Sequence, residues 1–330
     1  MQYYDTIILG GGAAAFSAAI YGARYQMKTL LIHEEFGGET SSAGPIENYP
    51  GFKKIDGFEL MQNMEEQAKD LGVEMVNGKA ELAKNIHHCF QVRVGKELFE
   101  GKTLIIAVGM ERRKMGLTNE DALKGKGIHY CVTCDGPLFK KKTVGIVGGG
   151  DSAVKGANQL ADLVGEVYMI VREKDLRRAE PANFEQLKKK TNVKVLYETQ
   201  ILELVGEKKL KAIKLSKKIE GSDVLPLDAV FVAIGAVPRS TIPQELGIAM
   251  NGRGEIIVDR MMKTNVEGVF GAGDITDASG SFKQIVTAAA QGSIAATSAY
   301  DDVGTHKENV CALHAVPVVA PPHEIMKSKQ

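Results

Sequence analysis

The chain has 330 residues, of which 44% are hydrophobic and 25% charged, with 41 Lys+Arg against 41 Asp+Glu. This length exceeds the ~250 residues at which single cores usually divide, so two domains are expected, and the composition excludes a disordered or fibrous protein. Balanced charge removes the long-range field that gathers nucleic acid or an anionic bilayer, and no apolar run reaches the roughly 18 residues of a membrane span, so the expected partner is a small molecule or a protein, with no nucleic acid and no membrane.

Met1 leads directly into a strand-like segment and not into a basic, then apolar leader, so a cytoplasmic chain is expected. Thr6-Ile-Ile-Leu9 predicts a buried strand, and Gly10-x-Gly12-x-x-Ala15 follows it and opens a helix. In a dinucleotide-binding turn the first glycine makes the bend and the second lets backbone approach the pyrophosphate. The third small residue lets the helix pack on the strand, and the helix N-terminus receives the negative charge. Thr29-Leu-Leu-Ile-His-Glu34 is a second strand, and Glu34 at its end lies 19 residues past Ala15, where a carboxylate can accept hydrogen bonds from an adenosine ribose. Leu104-Ile-Ile-Ala107-Val-Gly109 closes this first Rossmann-like unit.

Cys131-Val-Thr-Cys134-Asp135 comes next. Four cysteines are too few for a disulfide scaffold, and Cys89 and Cys311 stand outside any C-x-x-C, so this pair reads as a redox couple or half a zinc site. Zinc needs two more ligands, the nearest histidine is His129, and no second C-x-x-C exists, which favours the redox couple. The spacing suits disulfide exchange because it closes a small ring, and a thiolate near a helix N-terminus can have a lowered pKa. Asp135 is a candidate acid/base for the departing thiol and equally a candidate helix cap.

The first pattern then repeats. Thr143-Val-Gly-Ile-Val147 runs into Gly148-x-Gly150-x-x-Ala153, then Val167-Tyr-Met-Ile-Val-Arg-Glu173, and the copy closes with Val230-Phe-Val-Ala233-Ile-Gly235, so two bound dinucleotides are expected. Glu173, 20 residues past Ala153, suits a free ribose 2′-hydroxyl, whereas Arg172, Arg177 and Arg178 suit a 2′-phosphate. Strands are expected again at Glu255-Ile-Ile-Val258 and Gly268-Val-Phe-Gly271, returning the C-terminal part to the first domain, and Gly271-Ala-Gly273-Asp274 is a candidate flavin contact. From about Asp301, Pro317, Pro321 and Pro322 with weak periodicity suggest a flexible or partner-contacting tail, in which Cys311 and His314 read as incidental. The expected fold class is α/β with two Rossmann-like dinucleotide-binding domains, the second (116–245) inserted into the first (1–115 and 246–330).

Together, the first fingerprint, Glu47-Asn48-Tyr49-Pro50-Gly51, Cys131-x-x-Cys134-Asp135, the second fingerprint and Gly271-x-Gly273-Asp274 resemble low-molecular-weight thioredoxin reductase over about residues 3 to 300. The resemblance implies a homodimer with FAD in the first domain and NADPH in the inserted one, the two rotating so that flavin meets nicotinamide and disulfide in turn. It implies that Cys134 sits beside the flavin, that Cys131 attacks a thioredoxin-like protein and that Asp135 is the acid/base. It places Asn48 and the Lys283-Gln284-Ile285 stretch at the isoalloxazine. The chain departs from the family at Glu39, where a glutamine is usual, at Lys155, where a glutamate is usual, and at Val171-Arg172-Glu173, which replaces a His-Arg-Arg lead. NADPH is therefore expected with NADH possible. The alternative is a flavin dithiol enzyme with a non-nicotinamide donor or acceptor, such as a ferredoxin-linked reductase or a dithiol oxidase. A nucleotide-sensing binding protein is disfavoured by the intact C-x-x-C-Asp.

Overall fold

The computed structural model describes residues 2–86 and 89–305. β1 (Gln2–Leu9), α1 (Ala13–Arg24) and β2 (Thr29–His33) make the first βαβ unit, with β1 and β2 parallel. α2 (Gly38–Ser41), the hairpin of β3 (Pro45–Ile46) and β4 (Ile55–Asp56), and α3 (Gly57–Asp70) lead to β5 (Glu74–Asn77). β6 (Ala80–Ile86), β7 (Cys89–Val94) and β8 (Glu97–Ile106) follow as an antiparallel meander. Beyond β8, β9 (Met110–Arg112), α4 (Glu120–Leu123), β10 (Ile128–His129) and α5 (Val132–Asp135) precede a 3₁₀ turn at Gly136–Phe139.

The second glycine unit is β11 (Thr143–Val147), α6 (Asp151–Ala161) and β12 (Glu166–Ile170), followed by α7 (Pro181–Leu187) and β13 (Val193–Leu196). The antiparallel meander β14 (Ile201–Val205), β15 (Ala212–Ile219) and β16 (Ser222–Pro226) precedes β17 (Ala229–Val232). β18 (Ala236–Pro238), α8 (Thr241–Glu245), β19 (Val269–Gly271) and the long α9 (Ile285–Thr305) complete the described chain.

Two sheets organise these elements. One has the order β5-β2-β1-β8-β7-β6, and the other is the parallel set β10-β17-β11-β12-β13. β8 serves two neighbours on one side, pairing β7 through its first half and, after Gly101, β19 through Leu104–Ile106. The C-terminal strand therefore joins the first sheet although the second sheet intervenes in sequence. The two crossings between sheets pass side by side, as β9 and β18 pair antiparallel from Met110↔Pro238 to Arg112↔Ala236.

Burial explains why the strands form where the apolar runs lie. Ile7, Ile8, Leu9, Leu104, Ile105 and Ile106 are all essentially inaccessible, each contributing roughly 1.5–3 kcal/mol. That outweighs the ~0.5–1 kcal/mol that a glycine costs relative to alanine at the turn behind them. α1 is buried around most of its surface because it lies between the sheet and α9, and at their crossing a Cβ on Gly292 would come within 2.1 Å of the Ala14 carbonyl. In the second unit α6 is amphipathic, covering the sheet with Ala153, Val154, Ala157 and Leu160. The β14–β16 meander covers the opposite face, with Leu204, Ile213 and Leu215 against Ile170, Val230 and Val232.

Two expectations change. Glu255–Val258 is not a strand; Ile256 makes only isolated bridges to Met250 and Thr276. The Asn251 side chain folds the preceding turn onto the amides of Arg253 and Glu255, and Ile256 then bonds to loop carbonyls and amides. Asp301 does not begin a loose tail, since α9 continues to Thr305 with Tyr300 stacked on Tyr25 at 4.8 Å. Cys311, His314 and the three late prolines lie outside the described residues. Among the described residues, no helix is long and apolar enough to cross a membrane.

Gly148 has φ +141°, and an added Cβ would lie 2.2 Å from the Ala233 carbonyl oxygen, whereas Gly150 is extended and its Cβ would meet nothing within 4 Å. Gly148→Ala is expected to lose at least ~1–3 kcal/mol in thermal or denaturant unfolding of the ligand-free protein. Gly150→Ala should stay within ~0.5 kcal/mol of the parent.

Candidate active site

The two glycine turns are built alike. At the first, Gly10 has φ +131° and a Cβ would lie 2.1 Å from the Ala107 carbonyl oxygen, so only glycine lets β1 turn against the end of β8. Ala107 and Ala233 occupy equivalent places, each one residue past the parallel strand that flanks the turn. Gly12 and Gly150 are the N-caps of α1 and α6, with no side-chain cap on either helix, so the first-turn amides are left for an anionic group. Ala15 and Ala153 are fully buried beneath these turns. Both cradles fit a dinucleotide pyrophosphate.

Around the first cradle, Glu34 is exposed immediately after β2. Gly273, with φ +80°, brings the third glycine element against α1, since its Cβ would lie 2.9 Å from that of Ala14. The Gly273 amide donates to Gln291 Oε1 at 2.8 Å, fixing that turn on α9. Lys283 Nζ donates to the carbonyls of Asp274 and Thr276 and pairs with Glu255 at 3.1 Å. Burial pushes the Asp274 carboxyl above its usual range, Lys283 opposes this and Glu39 adds to it. Asn48 Nδ2 donates to Gln284 Oε1 at 3.1 Å, joining two candidate residues 236 positions apart. Gly10, Glu34 and Gly273 thus follow the C-terminal ends of β1, β2 and β19 in the first sheet.

The second cradle opens onto a cavity of about 380 Å³ lined by Gly148, Gly150, Arg113, Arg172, Glu173 and Arg178. Glu173 Oε1 pairs with Arg178 at 2.8 Å and Arg172 at 3.3 Å, while its Oε2 would sit 3.0 Å from a Cβ on Gly149. The acid therefore lies over the glycine turn with an arginine on each side. Arg177 is not brought here; it is 79% exposed and pairs with Asp175 at 2.7 Å.

Cys131 and Cys134 form a disulfide at the start of α5. Cys131 is the N-cap, and its sulfur accepts the Cys134 amide at 3.0 Å, a bond that favours a thiolate at Cys131 once the pair is reduced. Asp135 caps no helix. Its Oδ2 lies 2.8 Å from His129 Nδ1. The redox turn faces the first domain, for a Cβ on Gly44 would come within 3.2 Å of Thr133 Oγ1 and 3.0 Å of Gln159 Nε2. Gly44 lies four residues before Asn48, so the turn approaches the segment that holds Asn48, whose side chain meets Gln284.

Sequence reasoning missed the residues that hold this arrangement. Arg112 makes a two-pronged bond to Glu39, 2.7 Å from Nη2 and 3.1 Å from Nε, and also donates to the Tyr130 carbonyl just before Cys131. Lys155 Nζ donates to the Pro45 carbonyl at 3.3 Å, and Arg239 pairs with Glu35 at 2.6 Å. Glu39 and Lys155 were visible as departures from the family pattern, but their partners are distant in sequence. His129 carried a signal, lying six residues before Asp135, that the search for zinc ligands did not use.

The pyridine nucleotide-disulphide oxidoreductase family model matches residues 4–292. Thioredoxin reductase of Listeria monocytogenes is 36% identical over 312 residues, covering 94% of this chain and 97% of its own. The crystal structure of Lactococcus lactis thioredoxin reductase in its FR conformation superimposes with a TM-score of 0.85 at 32% identity, over 92% of this chain and 99% of that one. The crystal structure of T. acidophilum thioredoxin reductase gives a TM-score of 0.84 at 33% identity over 92% of this chain and 99% of that one. With two like glycine cradles, a disulfide between them and these relatives over nearly its whole length, the chain belongs to the pyridine nucleotide-disulphide oxidoreductase family, in its low-molecular-weight thioredoxin reductase branch.

Proposed function

We propose that the chain passes electrons from NAD(P)H through FAD to the Cys131–Cys134 disulfide and on to a thioredoxin-like protein disulfide. The observation that carries this reading is the placement of the redox turn, with Thr133 and Gln159 against Gly44 and hence beside the segment bearing Asn48, whose side chain meets Gln284. Bound FAD supplies two-electron chemistry at that face. Gly10, Gly12 and Ala15 cradle its pyrophosphate, Glu34 takes the adenosine ribose, and Gly273 and Asp274 hold the ribityl side. Cys134 is the flavin-side sulfur and Cys131 the sulfur that attacks the substrate, with Asp135 as acid/base. Residues 1–115 and 246–330 form the FAD domain, and 116–245 the inserted nicotinamide domain. The relatives support thioredoxin as the protein substrate, and the family resemblance supports a homodimer.

The second cradle, Gly148, Gly150 and Ala153, takes the nicotinamide dinucleotide. Two arginines outnumber Glu173 at its rim, so NADPH is favoured over NADH, but only modestly because Glu173 occupies both. The same pairing favours a second reading. If Glu173 and the Lys155 contact to Pro45 keep the nicotinamide from working, a ferredoxin-like donor or a dithiol oxidase route takes its place.

The protein is expected to purify yellow with FAD equimolar to chain. Gly12→Ala, which costs the fold little, should release FAD on dilution, measured by absorbance of the filtrate; a colourless parent that cannot be reconstituted refutes the assignment. Cys131→Ser and Cys134→Ser should each reduce disulfide turnover to background while keeping FAD, and only Cys131→Ser, which leaves Cys134 at the flavin, should gain long-wavelength absorbance. Glu173→Gln should lower the KM for NADPH roughly two- to fivefold, as expected for exposed charges, with kcat nearly unchanged because the 2′-phosphate contributes uniform binding. Anaerobic titration with NADPH and then NADH decides the donor, and failure of both to bleach the flavin selects the second reading.

A further inference from the structure

We propose that His129 is a positioning residue for Asp135, fixing one carboxylate oxygen so that the other is the one that exchanges a proton with the redox cysteines. The inference rests on the dithiol reading above. His129 closes β10 two residues before Cys131, and its side chain is 5% exposed against 33% for Asp135. Its ring meets Phe139 edge-on at 5.1 Å and lies tilted over Phe231 at 5.5 Å, in a cage that fixes its plane. Nδ1 is engaged by Asp135 Oδ2, and Nε2 is buried with no hydrogen-bond partner.

The unpartnered nitrogen decides the tautomer. A buried N–H without an acceptor is rarer and costlier than a lone pair without a donor, so the ring proton belongs on Nδ1, donated to Asp135. A second proton on Nε2 would place an unpaired charge among phenyl rings. The imidazole is therefore a fixed donor that holds Asp135 Oδ2 in one orientation. No charged group competes for the pair among the described residues. β17 and the 3₁₀ turn carry none. On α6, Asp151 binds the Glu180 amide and Asn183, and Lys155 binds Pro45. Beside β10, the Tyr130 hydroxyl donates to Glu120, and Arg112 is held by Glu39.

In the exchange, the Cys131 thiolate attacks the substrate disulfide, forming a mixed disulfide and releasing one substrate sulfur. Cys134 then attacks Cys131 Sγ, restoring the Cys131–Cys134 bond and releasing the second. Two electrons and two protons pass from the enzyme dithiol to the substrate, which leaves as a dithiol. Asp135 takes a proton from a cysteine thiol and returns it to a departing substrate sulfur. With Oδ2 held by His129, Oδ1 is left to carry that proton.

The test uses the full-length holoenzyme, reduced anaerobically, and follows the pH dependence of cysteine alkylation by iodoacetamide, which needs no substrate or turnover. His129→Phe, which fills the cage without a donor, should displace that profile toward higher pH. His129→Asn, which keeps a donor near the Nδ1 position, should leave it in place. In an Asp135→Asn background, His129→Phe should shift nothing. A His129→Phe profile that overlays the parent, or one that shifts equally without Asp135, overturns the proposal. Independently of any variant, ¹⁵N shifts of the parent's His129 should report the Nδ1–H tautomer, and an Nε2–H tautomer overturns it as well. Loss of thioredoxin turnover with these alkylation results intact would instead count against the substrate reading.

Discussion

The structure depends on a close approach repeated twice, between the bend after a central strand and the carbonyl at the end of its parallel neighbour. At Gly10 and Ala107, and again at Gly148 and Ala233, the space that a side chain would need is filled by a backbone oxygen. This contact does more than permit a tight turn. It brings the helix amides level with the ends of two strands, which is where the negative charge of a dinucleotide is received. It also fixes where the chain goes next, because β9 begins three residues after Ala107 and β18 three residues after Ala233. The two glycine contacts therefore set the start of both crossings between the sheets.

Those crossings pair with one another, and polar contacts cluster around the ribbon they make. Arg112 on the ribbon reaches Glu39 in the first unit and the Tyr130 carbonyl beside the redox turn, so one guanidinium ties ribbon, flavin-side loop and disulfide segment. Planar two-pronged binding of a carboxylate gives this link a direction that a lysine would not provide. Each such contact is partly solvated and worth little alone, roughly 0–1 kcal/mol. Weak, exposed links leave the two units free of the hold that a large apolar interface would impose.

The disulfide segment combines two environments. Cys131 meets the Cys134 amide at an exposed helix start, where a thiolate is favoured, whereas Asp135 reaches back into an aromatic cage through His129. The solvated end suits attack on an outside protein, and the shielded end suits storage of a proton. At the nicotinamide cradle the opposing charges are instead neighbours, and Glu173 satisfies the arginines that would otherwise wait for a phosphate.

The repeated glycine turns, the flanking strands and the C-x-x-C between them were legible in the sequence, because each depends on local periodicity, on residues that alone tolerate a given backbone, or on fixed short spacing. The family pattern also identified Asn48 and Gln284. Only the tertiary structure joined those two side chains, turned Arg177 away to Asp175, gave Asp135 a histidine partner in place of a helix to cap, and reduced Glu255–Val258 to isolated bridges. These outcomes turn on which side chains become partners, whether two residues apart, as for Arg177 and Asp175, six apart, as for His129 and Asp135, or 236 apart, as for Asn48 and Gln284. Local pattern does not decide among the partners that each side chain could take, since the choice is fixed by the turns and packing that the folded chain adopts around it.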